Sequence, residues 1–235
     1  MRSLFRKMNG KHGKLIVFEG LDGSGKATQS ARYVEHLKQL GRSPILLSFP
    51  NYESESSALV RMYLSGTFGS DPSSVNPFAA SAFFSVDRIA GFLSDWQPAW
   101  KQADSVLIAD RYTTSNAVHQ CCKLPREEWN SFLSWLYDFE YGKLGLPAPD
   151  AVIYLRLPPE TSEDLLVNRY HGDQTRLDIQ ERDLEYLRHA RKAADYCAGY
   201  SHWHTVECAP EGKLRSIDDI AAEVVNVLDS IIFKK

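Results

Sequence analysis

The stretch Lys14-Leu-Ile-Val-Phe-Glu19-Gly20-Leu-Asp22-Gly23-Ser24-Gly25-Lys26-Ala27-Thr28 decides how this chain is read. Its first part, Leu15-Ile16-Val17-Phe18, is an uninterrupted apolar run of strand length, the signature of a strand covered on two faces. Three glycines follow, and Lys26 then opens a segment with helical spacing. Strand, glycine turn and helix N-terminus in that order form a phosphate-binding loop. The glycines allow successive N–H groups to turn inward toward phosphate oxygens, and the helix dipole adds a positive end. Lys26 supplies a mobile cation for the outer phosphates of a nucleotide. The alternative is a turn that merely joins a strand to a helix. The register of Gly20, Gly25 and Lys26 behind a strand opposes it. One position departs from the pattern: Ala27 stands where a Ser or Thr hydroxyl ordinarily ligates magnesium, and Thr28 comes one residue later.

Outward from the loop, four more apolar runs rich in β-branched residues predict strands: 44–49, 105–109, 151–157 and 204–208. Helical patterns lie between them. The segment 26–40 places Ala27, Ala31, Val34, Leu37 and Leu40 on one stripe, with Gly41 as its stop; 218–232 does the same with Ile220, Val224, Val227, Leu228 and Ile231. Strands alternating with helices predict a doubly wound α/β fold, whose ligands bind beyond the carboxyl ends of the strands. The 235 residues show no repeat and no long linker, so a single domain over 14–235 is expected, behind a basic leader, 1–13, that lacks the apolar centre of a secretory signal. A net charge of −3 gives no field for nucleic acid or an anionic membrane, and no apolar run is long enough to cross a bilayer. Cys121, Cys122, Cys197 and Cys208 have no metal-ligand spacing and are expected as idle thiols in a reducing cytoplasm.

Chemistry-bearing residues cluster at the predicted strand ends. Asp110 and Arg111 close the third run: the acid suits magnesium held through water, and the guanidinium suits a phosphate. Without a phosphate loop nearby they would read as a surface ion pair. Phe49-Pro50 ends the second run. Phe84 and Arg88 lie one helical turn apart, so a ring that stacks on a base accompanies a cation that reaches the base's carbonyl edge. Ser115 and Asn116 either contact that base or cap a helix.

Taken in order, Glu19-Gly-Leu-Asp-Gly-Ser-Gly-Lys26, Phe49-Pro50, Phe84-x-x-x-Arg88, Asp110-Arg111-Tyr112 and Pro149-Asp150…Tyr154-Leu155 resemble the thymidylate kinase family over most of the chain. The resemblance implies a P-loop NTPase fold with a five-stranded parallel sheet, ATP and magnesium, a homodimer, and transfer of the γ-phosphoryl group to dTMP. It implies that Gly20, Asp22, Gly23, Ser24, Gly25, Lys26, Ala27 and Thr28 hold ATP, with Asp22 also accepting from the 3′-hydroxyl of the acceptor. Phe49, Pro50, Phe84, Arg88, Arg111, Ser115, Asn116 and His119 would line the acceptor site, and Asp110 would serve the metal. Lys26 and Arg111 would be the catalytic cations of the core. Gly23 follows the loop aspartate where some members carry a basic residue, so a further cation is expected from a lid at about 168–180, with Arg169 and Arg176 as candidates.

Asn51 stands where the family often has an arginine after Phe-Pro, and His119 where an aromatic commonly lies near the sugar. Two alternatives stay open on the sequence: a kinase for another nucleoside monophosphate or a deoxynucleoside, and a non-catalytic nucleotide-binding relative, the reading that Ala27 favours.

Overall fold

The fold is that of a computed structural model, which describes residues 12–158, 160–162, 165 and 184–233. The expected lid at 168–180, with Arg169 and Arg176, and all of the expected leader but His12 and Gly13 lie outside the described residues.

Strands form where the apolar runs predict them: β1 (Lys14–Glu19), β2 (Ile45–Ser48), β3 (Val106–Asp110), β4 (Ala151–Arg156) and β5 (His204–Glu207). They pair in the order β2-β3-β1-β4-β5, every pair parallel. The helices are α1 (Lys26–Gln39), α2 (Ala58–Leu64), α3 (Pro77–Gly91), α4 (Gln97–Trp100), α5 (Thr113–Cys121), α6 (Trp129–Tyr137), α7 (Leu184–Ser201) and α8 (Ile217–Ile232). Wider π-helical turns at Phe92–Trp96 and Asp138–Lys143 extend α3 and α6.

Side chains alternate across a strand, so each of the three inner strands, β1, β3 and β4, feeds two cores. Leu15, Val17, Leu107, Ala109, Val152 and Tyr154 join the core that also takes residues of α5, α6 and α7. Ile16, Phe18, Val106, Ile108, Ile153 and Leu155 join the one beneath α1 and α8. Central β1 serves the two layers at once, which is why its apolar run is continuous: Leu15 to Phe18 are all 0% exposed.

Register places the strand exits side by side. Phe18 pairs with Asp110 and Ile153, and Ser48 with Asp110. The loop after β1, the Arg111 corner after β3 and Phe49-Pro50 after β2 therefore emerge together at one edge of the sheet. The Phe49–Pro50 peptide is cis.

Helix α1 stops as expected. Gly41 has φ +74°, and the N–H groups of Gly41 and Arg42 donate to Lys38 O and Leu37 O in a Schellman arrangement. Its buried face differs from the expected stripe: Val34 and Leu37 are buried, but Ala27, Ala31 and Leu40 face outward, while Lys26, Gln29, Ser30 and Tyr33 turn in. The reason is size and polarity together. An alanine gains one methyl by burial, whereas Tyr33 buries a ring against Phe18 and donates its hydroxyl to Asp229. Lys26 must face the loop it serves.

Candidate active site

The loop between β1 and α1 folds on its glycines. Gly23 and Gly25 have φ +79° and +86°, a left-handed region that costs other residues about 1–2 kcal/mol. Gly20 answers a different need: a Cβ there would come within 2.5 Å of Ser24 Oγ and 2.8 Å of Leu155 O. Lys26 turns back into the loop, its Nζ donating to Gly20 O (2.8 Å) and Leu21 O (2.9 Å) and lying 3.8 Å from Asp22 Oδ1. Burial lowers the Lys26 ammonium's pKa, aided by nearby Arg111, against the opposing pull of Asp22, Asp110 and Glu19.

Arg111 meets this loop from the end of β3. Its backbone takes φ +65°, held by N–H donation to Phe18 O at 3.0 Å. The guanidinium donates to Asp22 Oδ1 and, at 3.2 Å, to Ser115 Oγ; Glu19 Oε1 is 3.8 Å away. Arg111 thus pairs across the site with Asp22, not as a surface pair with its neighbour Asp110. Burial alone would raise the Asp22 carboxyl; Arg111 and then Lys26 overcome it and hold it well below the usual carboxylate range. Asp110 keeps a buried oxygen, Oδ1, with no hydrogen-bond partner. Ser24 Oγ is likewise buried and unpartnered.

His119, on α5, touches Arg111 through Nε2 at 3.5 Å. Its Nδ1 lies 3.2 Å from the Tyr186 hydroxyl, which itself donates to His119 O at 3.1 Å. The tyrosine's one proton is thereby used, so Nδ1 carries the imidazole proton and Nε2 presents a lone pair to Arg111. Burial, then Arg111, pushes the His119 pKa down to about 3, in keeping with this neutral tautomer.

On the other wall, α3 presents Phe84 and Arg88 as expected. Phe84 meets Tyr63 edge-on, with centroids 6.2 Å apart. Arg88 is buried and bidentate on Glu140, Nε to Oε2 at 2.8 Å and Nη2 to Oε1 at 2.6 Å. Phe49 packs on Tyr112 and Trp96 as much as it faces the cleft. Ser115 and Asn116 lie inside α5 and cap nothing. Ser115 Oγ donates to Glu19 Oε2 (2.7 Å), and Asn116 Nδ2 donates to Glu140 Oε1 (3.0 Å) and Ser81 O (3.1 Å).

One cleft of about 740 Å³ joins these parts. Asp22, Gly23, Ser24, Gly25, Lys26, Ala27 and Thr28 line one end; Phe49, Pro50, Phe84, Arg88, Asp110, Arg111, Ser115, Asn116 and His119 complete it. Gly20 does not line it and acts through its carbonyl on Lys26. Among the described residues no cluster of three or more His, Cys, Asp or Glu could ligate a metal by itself. The orphan Asp110 oxygen nevertheless fits magnesium, which keeps several waters and takes only one or two protein carboxylates beside phosphate oxygens. The four cysteines are buried and unpaired, as expected. No helix among the described residues is long and apolar enough to cross a membrane.

Three contributors escaped the sequence reading. Glu19 is 1% exposed and accepts from Gly20 N, Thr114 Oγ1 and Ser115 Oγ. Its signal was an acid closing a wholly apolar strand. Glu140 is the single buried acid in an aromatic segment, and Tyr186 comes from α7 far along the chain.

The thymidylate kinase family profile matches residues 18–216. The thymidylate kinase of Mycobacterium tuberculosis (strain ATCC 25618 / H37Rv) is 34% identical over 173 residues, 73% of this chain and 79% of its own. That of Caenorhabditis elegans is 31% identical over 231 residues, 93% of each chain. Among solved structures, thymidylate kinase from Candida albicans matches with a TM-score of 0.69 at 20% identity, over 93% of this chain and 92% of that one, a likeness of fold. With a phosphate loop, an aspartate–arginine corner and an aromatic–arginine pair along one cleft, and a family match across nearly the whole sheet, this chain belongs to the thymidylate kinase family of ATP-dependent nucleoside monophosphate kinases.

Proposed function

We propose that this chain transfers the γ-phosphoryl group of ATP to dTMP, giving dTDP and ADP, with the phosphate loop holding the donor and the Phe84–Arg88 wall holding the acceptor. The observation that supports this reading is the continuity of the cleft, in which the phosphate loop with Asp22 and Lys26, Arg111 bonded to Asp22, and the Phe84–Arg88 wall share one cavity. Phosphoryl transfer asks for little covalent chemistry from a protein. An acceptor phosphate oxygen must be held in line with the γ-phosphorus, and positive charge must surround the moving group. Lys26 is buried and Arg111 half-buried, and the chain's own oxygens hold both, so incoming phosphates replace ligands that already match their chemistry. Loop N–H groups at the start of α1 add further donors. Magnesium, held at Asp110 and the phosphates, would supply charge neutralisation across the donor. Phe84 would stack on thymine, and Asp22, released from Arg111, would accept from the 3′-hydroxyl. His119 would stand beside the sugar as a neutral acceptor. Arg169 or Arg176 would complete the cationic shell, since Gly23 cannot.

A homodimer belongs to this reading. Ala82, Val86 and Ile89 of α3 and Leu93 just beyond it fall at helical spacing, with Val86 48% and Leu93 63% exposed, and Leu59 and Met62 of α2 are exposed as well. Such a self-complementary apolar stripe suits a two-fold interface.

The test is ADP formation from ATP and magnesium with each of dTMP, UMP, dCMP and thymidine. Turnover requiring dTMP supports the proposal. Turnover restricted to another acceptor would falsify the choice of substrate, and ATP binding without acceptor-dependent ADP would assign the chain to the non-catalytic class.

A further inference from the structure

Glu140 has no part in the chemistry above, yet its carboxylate accepts five hydrogen bonds just behind the cleft wall. It sits on the π-helical turn after α6 and is 0% exposed. Its Oε1 accepts from Ser85 Oγ (2.9 Å), Arg88 Nη2 (2.6 Å) and Asn116 Nδ2 (3.0 Å), and its Oε2 from Arg88 Nε (2.8 Å) and Thr113 Oγ1 (2.6 Å). A buried ion pair is a poor source of stability, because desolvation offsets the attraction and apolar side chains of similar volume do as well or better. What such a pair does well is fix geometry. Here it fixes two groups that line the cleft, Arg88 and Asn116.

The consequences for each group are definite. Glu140 takes the side edge of the guanidinium, Nε and Nη2, so the edge left for a ligand is the end-on one; its Nη1 makes only a long contact, 3.4 Å, to Tyr112 O. Arg88 can therefore present N–H donors and nothing else. The amide of Asn116 has its Nδ2 committed to Glu140 and to Ser81 O, which forbids the flipped orientation and leaves Oδ1, an acceptor, as the atom available to a ligand. A fixed donor beside a fixed acceptor complements an imide edge, a carbonyl next to a ring N–H, as in thymine and uracil. Cytosine presents the opposite pattern, an amine next to a bare ring nitrogen, and would leave buried groups unpaired.

We propose that Glu140 is the positioning residue that sets the base selectivity of this cleft, holding Arg88 as donor and Asn116 as acceptor so that imide pyrimidines are taken and cytosine is refused. This rests on the acceptor reading of the cleft given above. E140Q keeps the shape but places an amide N–H₂ against Arg88 in either orientation, freeing the guanidinium to turn and leaving the Asn116 amide with Ser81 O as its remaining anchor. The readout is kcat/KM for dTMP divided by that for dCMP, with KM for ATP and the melting temperature measured alongside. In E140Q the ratio falls at least about tenfold while KM for ATP holds, the size expected when one fixed buried hydrogen-bond pattern is lost. Equal losses for the two acceptors, or a wild-type ratio in folded E140Q, overturn the proposal and leave dTMP as substrate. A wild-type protein that prefers dCMP or accepts neither nucleotide overturns the acceptor reading and this inference together. Should E140Q not fold, the double variant S85A/T113V strips two neutral donors from the carboxylate and keeps the ion pair. Its ratio drops about threefold, and an unchanged ratio there overturns the proposal equally.

Discussion

Ala27 faces the cleft with no hydroxyl to offer, and among the described residues the orphan Asp110 oxygen is a carboxylate acceptor suited to a hydrated cation. Restoring the hydroxyl should therefore tighten metal use: Ala27→Ser is expected to lower the magnesium concentration for half-maximal turnover several-fold, by about the 0.5–1.5 kcal/mol of one polar contact. Titration of initial rate against magnesium checks it, and identical curves would count against a metal role at this position. His119 makes a prediction of opposite kind, about stability. Its folded pKa, near 3, lies below the 6.5 of an unfolded imidazole, so the unfolded chain binds a proton that the native one refuses. The contribution is whole above pH 6.5 and is lost as pH falls from there toward 3, at no more than about 1.4 kcal/mol per pH unit. Urea midpoints between pH 7.5 and 5 should fall more steeply in the wild type than in His119→Gln, and parallel slopes would mean that the imidazole is protonated in place. At this scale the sequence displays the groups that act within a few residues of one another, Asp22 with Lys26, Phe84 with Arg88, Arg111 with Ser115. It hides those that act across the fold. Glu140 is 52 residues from Arg88 and Tyr186 is 67 from His119, and nothing local in a lone acid or tyrosine says which face it will find.

Elements differ in how strictly their residues are dictated. The strand-to-helix loop is the strictest, and its glycines are not equivalent. Gly20 faces backbone and Ser24 within 3 Å at φ +156°, so Gly20→Ala must displace Leu155 O or the loop. Gly25 has open space around it, and Gly25→Ala meets only the strain of φ +86°, about 1–2 kcal/mol. The expected outcome is that Gly20→Ala loses more stability and most nucleotide affinity, whereas Gly25→Ala lowers the melting temperature modestly; thermal melts and ATP titrations separate them. The inner strands β1, β3 and β4 were legible because they are buried on two faces and so carry unbroken apolar runs, whereas the edge strands β2 and β5 bury mainly Leu47 and Val206. Helix α1 was legible in extent, through Lys26 and Gly41, but not in facing. Its inward side is set by the loop that Lys26 serves and by Tyr33 reaching Asp229 on α8, contacts that a count of apolar residues does not weigh.

For the whole molecule, the two cores divide the labour. The layer of α1 and α8 backs the phosphate loop, while the other layer includes α3 and α5, which carry Phe84, Arg88, Asn116 and His119, the groups proposed to take the acceptor. The stripe through Val86 and Leu93 lies on the back of the helix whose other side presents Arg88, so an interface there would stiffen the acceptor wall without entering the cleft. A charge in that stripe should split the assembly. Val86→Glu places a carboxylate on a surface position, where the monomer's own fold tolerates it, but against an apolar partner it is desolvated without a counter-ion. Sedimentation velocity is expected to show a dimer for the wild type and a monomer for the variant at micromolar concentration, with the melting temperature of the variant becoming independent of concentration. The dTMP affinity of the monomer should fall while ATP affinity stays, because α3 is held from behind only at the acceptor end. A wild-type protein that sediments as a monomer at every concentration would leave the exposed stripe without this partner and would place the rigidity of the acceptor wall in Glu140 alone.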